Sequence, residues 1–147
     1  MRVFGLILLV LTLAMPMCAQ QSQPAAATFT SADAETLVRT LQDGLEGHNL
    51  KRFLSAFDRE QMIDYGNFAD HVASLFARTD AFRVNLHVTS MQDAGDGRVF
   101  VTVDAQIEVA PRDVPHPERR ETTLNVQVLK SGNGWRIVEL APREFFY

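Results

Sequence analysis

The spacing of apolar residues changes at Ala81, and this change constrains the fold more than any other feature of the sequence. Over residues 31–79, apolar side chains recur every three or four positions, as they do on one face of an α-helix. Beyond Ala81 they alternate with polar side chains, as along strands that are half buried in a sheet. The order predicts an α+β fold in which N-terminal helices cover one face of an antiparallel sheet.

Three helices are predicted before this change. The first covers residues 31–46 and opens with Thr30 and Asp33 in the arrangement of a capping box. Asn49 is predicted to cap a short second helix, and Asn67 to cap a third that ends where the strands begin.

Four strands are predicted after the helices, separated by turns at residues 94–97 and 131–134 and by a proline-rich loop at residues 111–120. On the first three strands, the face toward the helices consists of Val, Leu, Ile, Phe, Ala and Thr. Isomerase-like or dehydratase-like chemistry needs a positioned base and hydrogen-bond donors in a dry cavity. The inward strand positions supply neither.

Residues 1–19 are predicted to be an export signal peptide. Arg2 supplies a positive charge, and residues 3–13 form an apolar run that is shorter than the roughly twenty residues of a membrane-spanning helix. Cleavage after Ala19 would also remove Cys18, the only cysteine, so we expect a mature chain without thiols. The alternative is lipid anchoring at Cys18, although residues 15–17 do not resemble a lipobox.

Residues 20–29 are rich in Gln, Ser, Pro and Ala and are predicted to form a disordered leader, followed by a single domain over residues 30–147. The formal net charge is −4, and the basic residues are scattered, so the chain has no electrostatic footprint for nucleic acid. We therefore expect a periplasmic or extracellular domain that contacts no membrane once the signal is removed.

Two segments of the domain resemble a known superfamily. They are Gly-His-Asn-Leu-Lys-Arg-Phe-Leu-Ser-Ala-Phe at residues 47–57 and Gly-Trp-Arg-Ile-Val-Glu-Leu at residues 134–140. Together with the strand order they are similar to the nuclear transport factor 2-like superfamily, which includes the SnoaL-type cyclases. The resemblance implies a cone-like fold, a curved sheet around helices with a pocket at the open end. Because that fold hosts isomerases, dehydratases, epoxide hydrolases, binding proteins and dimerisation modules, it does not decide function.

Three polar residues are candidates for the mouth of such a pocket: Asp64, Tyr65 and Glu139. Glu139 would point inward if Ile137 does, and outward if Val138 is the inward residue. A turn carboxylate and a half-buried core tyrosine explain Asp64 and Tyr65 equally well.

His87 and Asp104 are predicted to be cross-strand neighbours on the opposite, outer face of the sheet. They would share it with Asn85, Gln106, Asn125 and Gln127. One interpretation is an acid/base or metal pair. We favour the other, a polar face that is solvated or packed against a second subunit, because alternation with a buried opposite face predicts it. Many members of the resembled superfamily dimerise through this surface, so the resemblance implies a homodimer.

No metal or cofactor site is predicted. The four histidines lack the spacing of a zinc site, and nucleophile elbows, P-loops and dinucleotide fingerprints are absent from the sequence. The aromatic tail at residues 145–147 is expected to dock in a groove of its own domain, or else to cover the pocket or a partner.

The leading hypothesis is an exported, non-catalytic domain that binds a small apolar ligand or a protein partner, as a dimer. The alternative is an isomerase, dehydratase or hydrolase of the SnoaL-like kind that uses Asp64, Tyr65 and Glu139. A third interpretation is an interaction module whose outer sheet face binds a different protein. A filled core between the helices and the sheet would exclude the small-ligand and the enzyme interpretations together.

Overall fold

The computed structural model describes residues 28–147; the predicted signal peptide with Cys18 and most of the predicted leader, residues 20–27, lie outside this part. The elements are α1 (Ser31–Glu46), α2 (Leu50–Leu54), α3 (Tyr65–Arg78), β1 (Thr79–Gly95), β2 (Arg98–Pro111), β3 (Glu118–Ser131), β4 (Gly134–Ala141) and a terminal 3-10 turn (Arg143–Phe146). The strands form one antiparallel sheet in the order β1-β2-β3-β4. The predicted α+β class, helices followed by a four-stranded meander, is confirmed. None of the helices within residues 28–147 is both long and apolar enough to cross a membrane.

The caps of the first two helices form as predicted. At the start of α1, the Thr30 backbone N–H donates to Asp33 Oδ2 at 2.8 Å, and the Asp33 N–H donates to Thr30 Oγ1 at 3.2 Å. The Thr30 hydroxyl and backbone N–H, both bonded to the carboxylate, lower the pKa of Asp33. At α2, the Arg52 N–H donates to Asn49 Oδ1 at 2.9 Å.

The start of α3 differs from the prediction that Asn67 is its N-cap. The helix begins at Tyr65, and the cap position belongs to Asp64, which has a left-handed φ of 59° and makes no side-chain cap bond. The Asn67 amide instead donates to Asp64 Oδ2 at 3.1 Å. The left-handed residue turns the chain into the helix three positions earlier than the cap pattern indicated.

The predicted loop at residues 111–120 is shorter than expected. β3 begins at Glu118, which pairs with Val109 of β2, and Arg119 pairs with Glu108. Pro111 ends β2, and Pro115 and Pro117 lie before Glu118, so only the residues between 111 and 118 interrupt the strands.

The helices cover the inner face of the sheet, and the core lies between them. Its strand members are apolar and alternate along the first three strands, while β4 contributes residues on either side of an irregularity: Phe82, Leu86, Val99, Val101, Val103, Ala105, Ile107, Val109, Leu124, Val126, Val128, Ile137 and Leu140. α1 and α2 meet at Gly44, where a Cβ would stand 2.6 Å from the backbone N and Cα of Phe53. Only glycine permits so close an approach.

A β-bulge in β4 decides the orientation of Glu139. Gln127 pairs with Glu139, but the next residue, Val128, pairs with Ile137, so Val138 is an extra residue in the ladder. Ile137 and Leu140 are therefore both buried against the core, and Glu139 is exposed on the outer face. Neither simple alternation considered from the sequence describes this strand.

The aromatic tail docks in its own domain, as expected. Phe146 is 0% exposed, and the Arg120 guanidinium donates to the Tyr147 carbonyl at 2.8 Å. The Tyr147 ring stacks on His71 of α3, with centroids 4.3 Å apart. The tail thus closes one end of the core.

Candidate functional site

Aromatic side chains fill the interior of the cone. The ring of Phe53 lies 5.4 Å from Phe57, 6.0 Å from Phe76 and 5.2 Å from Phe146, measured between centroids. Phe57 in turn meets Phe68 at 4.8 Å. All five residues are buried.

A space of about 20 Å³ lies between α1 and the sheet. Its lining is wholly apolar: Phe29, Ala34, Leu37, Val38, Leu41, Val101, Val103, Val126, Val128 and Ile137. A cavity of this size has room for about one water molecule, and an apolar lining offers that water no partner. A small ligand could enter only by displacing core side chains.

Among residues 28–147, Asp58 and Thr79 are the polar residues buried in the core. Asp58 Oδ1 accepts the backbone N–H groups of Glu60 and Gln61 at 2.9 and 3.0 Å. A hydrogen bond from the Ser131 hydroxyl, followed by these two N–H groups, lowers the pKa of Asp58 against the opposing effect of burial. A general base works best with a pKa near the operating pH, so Asp58 is suited to holding its loop rather than to proton transfer.

Asp58 also fixes the loop against β4. Its N–H donates to the Ile137 carbonyl at 2.8 Å, and the Ile137 N–H donates to the Ala56 carbonyl at 2.8 Å. Sequence reasoning missed Asp58 because, followed by Arg59 and Glu60, it has the pattern of a solvated charged turn.

The structure does not bring the three predicted mouth residues to one enclosed cavity. Asp64 is exposed ahead of α3, and Tyr65 is half-buried as the first residue of that helix. Glu139 borders an outer-face depression of about 130 Å³ together with Arg98 and Arg143. Neither Asp64 nor Tyr65 borders this depression.

The outer face carries the predicted cross-strand neighbours. His87 pairs with Asp104, and Asp104 pairs with Thr123, whose hydroxyl donates to Asp104 Oδ1 at 3.0 Å. Within residues 28–147, no ion pair joins His87 to Asp104. His87, Asp104 and Thr123 therefore form an exposed polar row. In it, the Asp104 carboxylate is hydrogen-bonded to the Thr123 hydroxyl and not to the His87 imidazole.

An exposed aromatic ring stands in the same face. Phe100 is 48% exposed and pairs with Gln127, which pairs with Glu139 on β4. Between this row and the His87 row lie Thr102 and Asn125, which pair with each other. On β2 and β3 these two rows carry amides, a hydroxyl and one phenyl ring, with Glu139 at their β4 end and the carboxylate of Asp104 in the next row.

At one end of the outer face, four charged residues form ion pairs within the chain. Arg83 meets Glu108 at 3.5 Å, and Arg119 meets Glu121 at 2.5 Å. Depletion of charge from the centre of a patch, with aromatic residues enriched there, is the composition of protein interfaces. The pairing of β2 with β3 extends over twelve positions, residues 98–109 of β2. At about 3.4 Å per residue along the strands, and about 4.8 Å between neighbours across four strands, the outer face has an area of roughly 600–800 Å².

The histidines of the described residues serve packing or lie at the surface. His48, with a φ of 49°, places its ring 5.4 Å from Phe76 and 5.9 Å from Phe82. His71 stacks on Tyr147. In the part of the chain described, no group of three or more His, Cys, Asp or Glu side chains is placed to hold a metal ion.

The sequence matches no protein-family model and no curated protein. Solved structures nevertheless share its fold. A nuclear transport factor 2-like superfamily protein from Salmonella enterica matches with a TM-score of 0.65 and 11% identity, over 74% of this chain and 86% of that one.

Two further solved structures have the same likeness. A ketosteroid isomerase-like protein from Erwinia carotovora has a TM-score of 0.62 and 11% identity, over 74% of this chain and 91% of that one. A proposed scytalone dehydratase from Novosphingobium aromaticivorans has a TM-score of 0.67 and 7% identity, over 74% and 79%. The chain therefore has the nuclear transport factor 2-like fold, and identities this low carry the fold alone.

Proposed function

We propose that this protein is an exported, non-catalytic module of the nuclear transport factor 2-like fold that binds protein, in the first place a second copy of itself, through the outer face of its sheet. The observation that carries the proposal is the closed interior, about 20 Å³ of apolar space behind a cluster of buried phenylalanines. The place where enzymes of this fold class would need a base and donors is occupied by the chain's own side chains.

The outer face supports self-association by its size and composition. Its roughly 600–800 Å² approaches the about 800 Å² that each partner buries in a standard interface. Phe100 supplies an apolar anchor near Gln127, and amides can pair with the same amides of a second copy across a two-fold axis. A small apolar ligand in the core remains a prediction that requires displacement of core side chains.

Mass in solution tests this proposal. The chain is expressed with its N-terminal segment and purified as the host processes it, and sedimentation is measured from about 1 to 100 μM. We expect wild type to be dimeric at the upper concentrations and Phe100→Glu to be monomeric with an unchanged circular dichroism spectrum, because the ring is half exposed. Val114, 47% exposed in the loop after β2, provides the matched control: Val114→Glu should remain dimeric. A monomeric wild type at every concentration contradicts the proposal.

Export rests on the N-terminal pattern alone and has its own test. Mass spectrometry of the purified chain is expected to show a new N-terminus close to Gln20, in periplasm or medium. An acylated Cys18 in the product would establish lipid anchoring instead. A chain that keeps Met1 to Ala19 in the cytoplasm would contradict export.

A further inference from the structure

A second surface, independent of the outer face, has the size of a ligand site. A groove of about 370 Å³ runs between α1 and the β3–β4 hairpin. Small-molecule sites are typically about 300–1,000 Å³ and combine an aromatic surface with a few convergent polar groups. This groove contains both, on walls contributed by segments about a hundred residues apart in the chain.

One wall offers hydrogen-bond acceptors only. The hydroxyl of Thr36 donates to the Ala32 carbonyl at 2.7 Å, and that of Thr40 donates to the Thr36 carbonyl at 2.8 Å. At the end of the groove, the Ser55 hydroxyl donates to the Arg52 carbonyl at 2.6 Å. Because each hydroxyl proton is engaged by the backbone, the three oxygens present lone pairs to the groove.

The opposite wall offers donors. Lys130, Asn133 and Arg136 supply an ammonium, an amide and a guanidinium. One guanidinium nitrogen of Arg136 donates to the Ser55 carbonyl, which anchors the side chain across the groove. A guanidinium carries five N–H groups, so others stay available to a ligand.

Trp135 supplies the apolar surface between the walls. Its ring meets Phe29 edge to face, with centroids 5.0 Å apart and planes at 77°. The ammonium of Lys130, its cross-strand neighbour, stands 5.3 Å from the ring centroid. Phe29 thus holds the half-buried indole in place, while the exposed ammonium of Lys130 can donate to a bound group.

We propose that this groove binds a saccharide. A sugar ring carries hydroxyls that donate to Thr36 and Thr40 while accepting from Lys130 and Arg136, and its C–H face packs against the electron-rich face of Trp135. Acceptors on one wall and donors on the other suit a ligand whose hydroxyl groups can both donate and accept hydrogen bonds. This inference does not rest on self-association, because none of Phe100, Asn125 and Gln127 of the outer face lines the groove.

Tryptophan fluorescence tests it directly, because Trp135 is the only tryptophan in the sequence. The purified chain is titrated with maltose, N,N′-diacetylchitobiose and digalacturonate up to about 20 mM, the range in which millimolar binding saturates. We expect a saturable change in emission with at least one of them. The double variant Thr36→Val, Thr40→Val should weaken that binding at least tenfold, with an unchanged circular dichroism spectrum and melting temperature. Thr102→Val, the same exchange on the outer face, should leave it unchanged.

Three results would overturn the proposal. One is no saturable change with any of the three saccharides. Another is equal binding by a folded double variant, which would place the ligand elsewhere. The last is a response only to a proline-rich peptide, a ligand class that also packs on exposed aromatic rings.

Discussion

The ring of Phe146 meets the ring of Phe53 edge to face, with centroids 5.2 Å apart and planes at 61°. One residue lies in the terminal 3-10 turn and the other in α2, and both are 0% exposed. The C-terminal segment thereby supplies part of the core that fills the cone. The interior is therefore filled by the chain's own side chains, including those of its C-terminal segment.

This contact predicts a large loss of stability in Phe146→Ala. Removal of a buried phenyl ring costs about 3–5 kcal/mol through lost burial and the cavity left behind, so urea unfolding at pH 7 should show a loss in this range. Ile63, 79% exposed, is the control, and Ile63→Ala should change stability by less than about 0.5 kcal/mol. A loss below 1 kcal/mol in Phe146→Ala would mean that the tail is not part of the core.

Glycine substitutions at two helical positions should act in opposite directions. Gly44→Ala places a Cβ 2.6 Å from the Phe53 backbone, and overpacking of this kind costs about 1–3 kcal/mol, which outweighs the gain in helix propensity. Gly66→Ala in α3 meets nothing within 4 Å and should stabilise by about 0.4–1 kcal/mol. Chemical denaturation of both variants measures the difference. Equal effects would contradict the close crossing of α1 and α2.

The Thr79 hydroxyl predicts a stabilising substitution. Thr79 is 0% exposed, and its Oγ1 has no hydrogen-bond partner within residues 28–147. An unsatisfied buried hydroxyl costs about 1–3 kcal/mol, and valine has nearly the same shape, so Thr79→Val should raise the melting temperature. Thr102→Val, on the half-exposed part of the outer face, should leave it nearly unchanged. A lower melting temperature for Thr79→Val would show that the hydroxyl has a partner in solution.

Asp58 predicts a pH dependence of stability. Because its pKa is lowered in the folded state by the Ser131 hydroxyl and the Gln61 and Glu60 N–H groups, the ionised carboxylate stabilises the fold above the unfolded pKa of about 3.9. That contribution is lost as pH falls through the lower folded pKa. Asp58→Asn should therefore cost about 1–3 kcal/mol at pH 7 and progressively less below pH 4. Urea unfolding of both chains from pH 7 to 3 tests this, and a constant difference would assign the effect to packing.

Much of the fold follows from local pattern. The change of period at Ala81, the capping box at Thr30 and the cross-strand pairing of His87 with Asp104 depend on neighbouring residues or on regular alternation, and each was predictable. The β4 bulge was not, because Ile137, Val138 and Leu140 are equally apolar and only the pairing with β3 shows which of them is extra.

The site was harder to predict than the fold. The pocket is filled by aromatic rings from α2, α3 and the tail that contact one another in the folded chain. The spacing of these residues along the sequence does not predict those contacts. The Trp135 groove joins α1 to a hairpin almost a hundred residues later, and its acceptor wall arises from hydroxyls bonded to their own helix. Residue types alone placed Asp64, Tyr65 and Glu139 together, but the bulge turns Glu139 to the other face.

The central claim is that the outer sheet face, and not the interior of the cone, is where this domain binds a second copy. Backbone amide NMR of wild type, diluted from about 500 to 10 μM, tests this claim residue by residue. We predict concentration-dependent shifts at Phe100, Gln106, Asn125 and Gln127, and none at Phe53 or Phe146. Shifts that are absent throughout, or that fall on the interior phenylalanines, would contradict the claim.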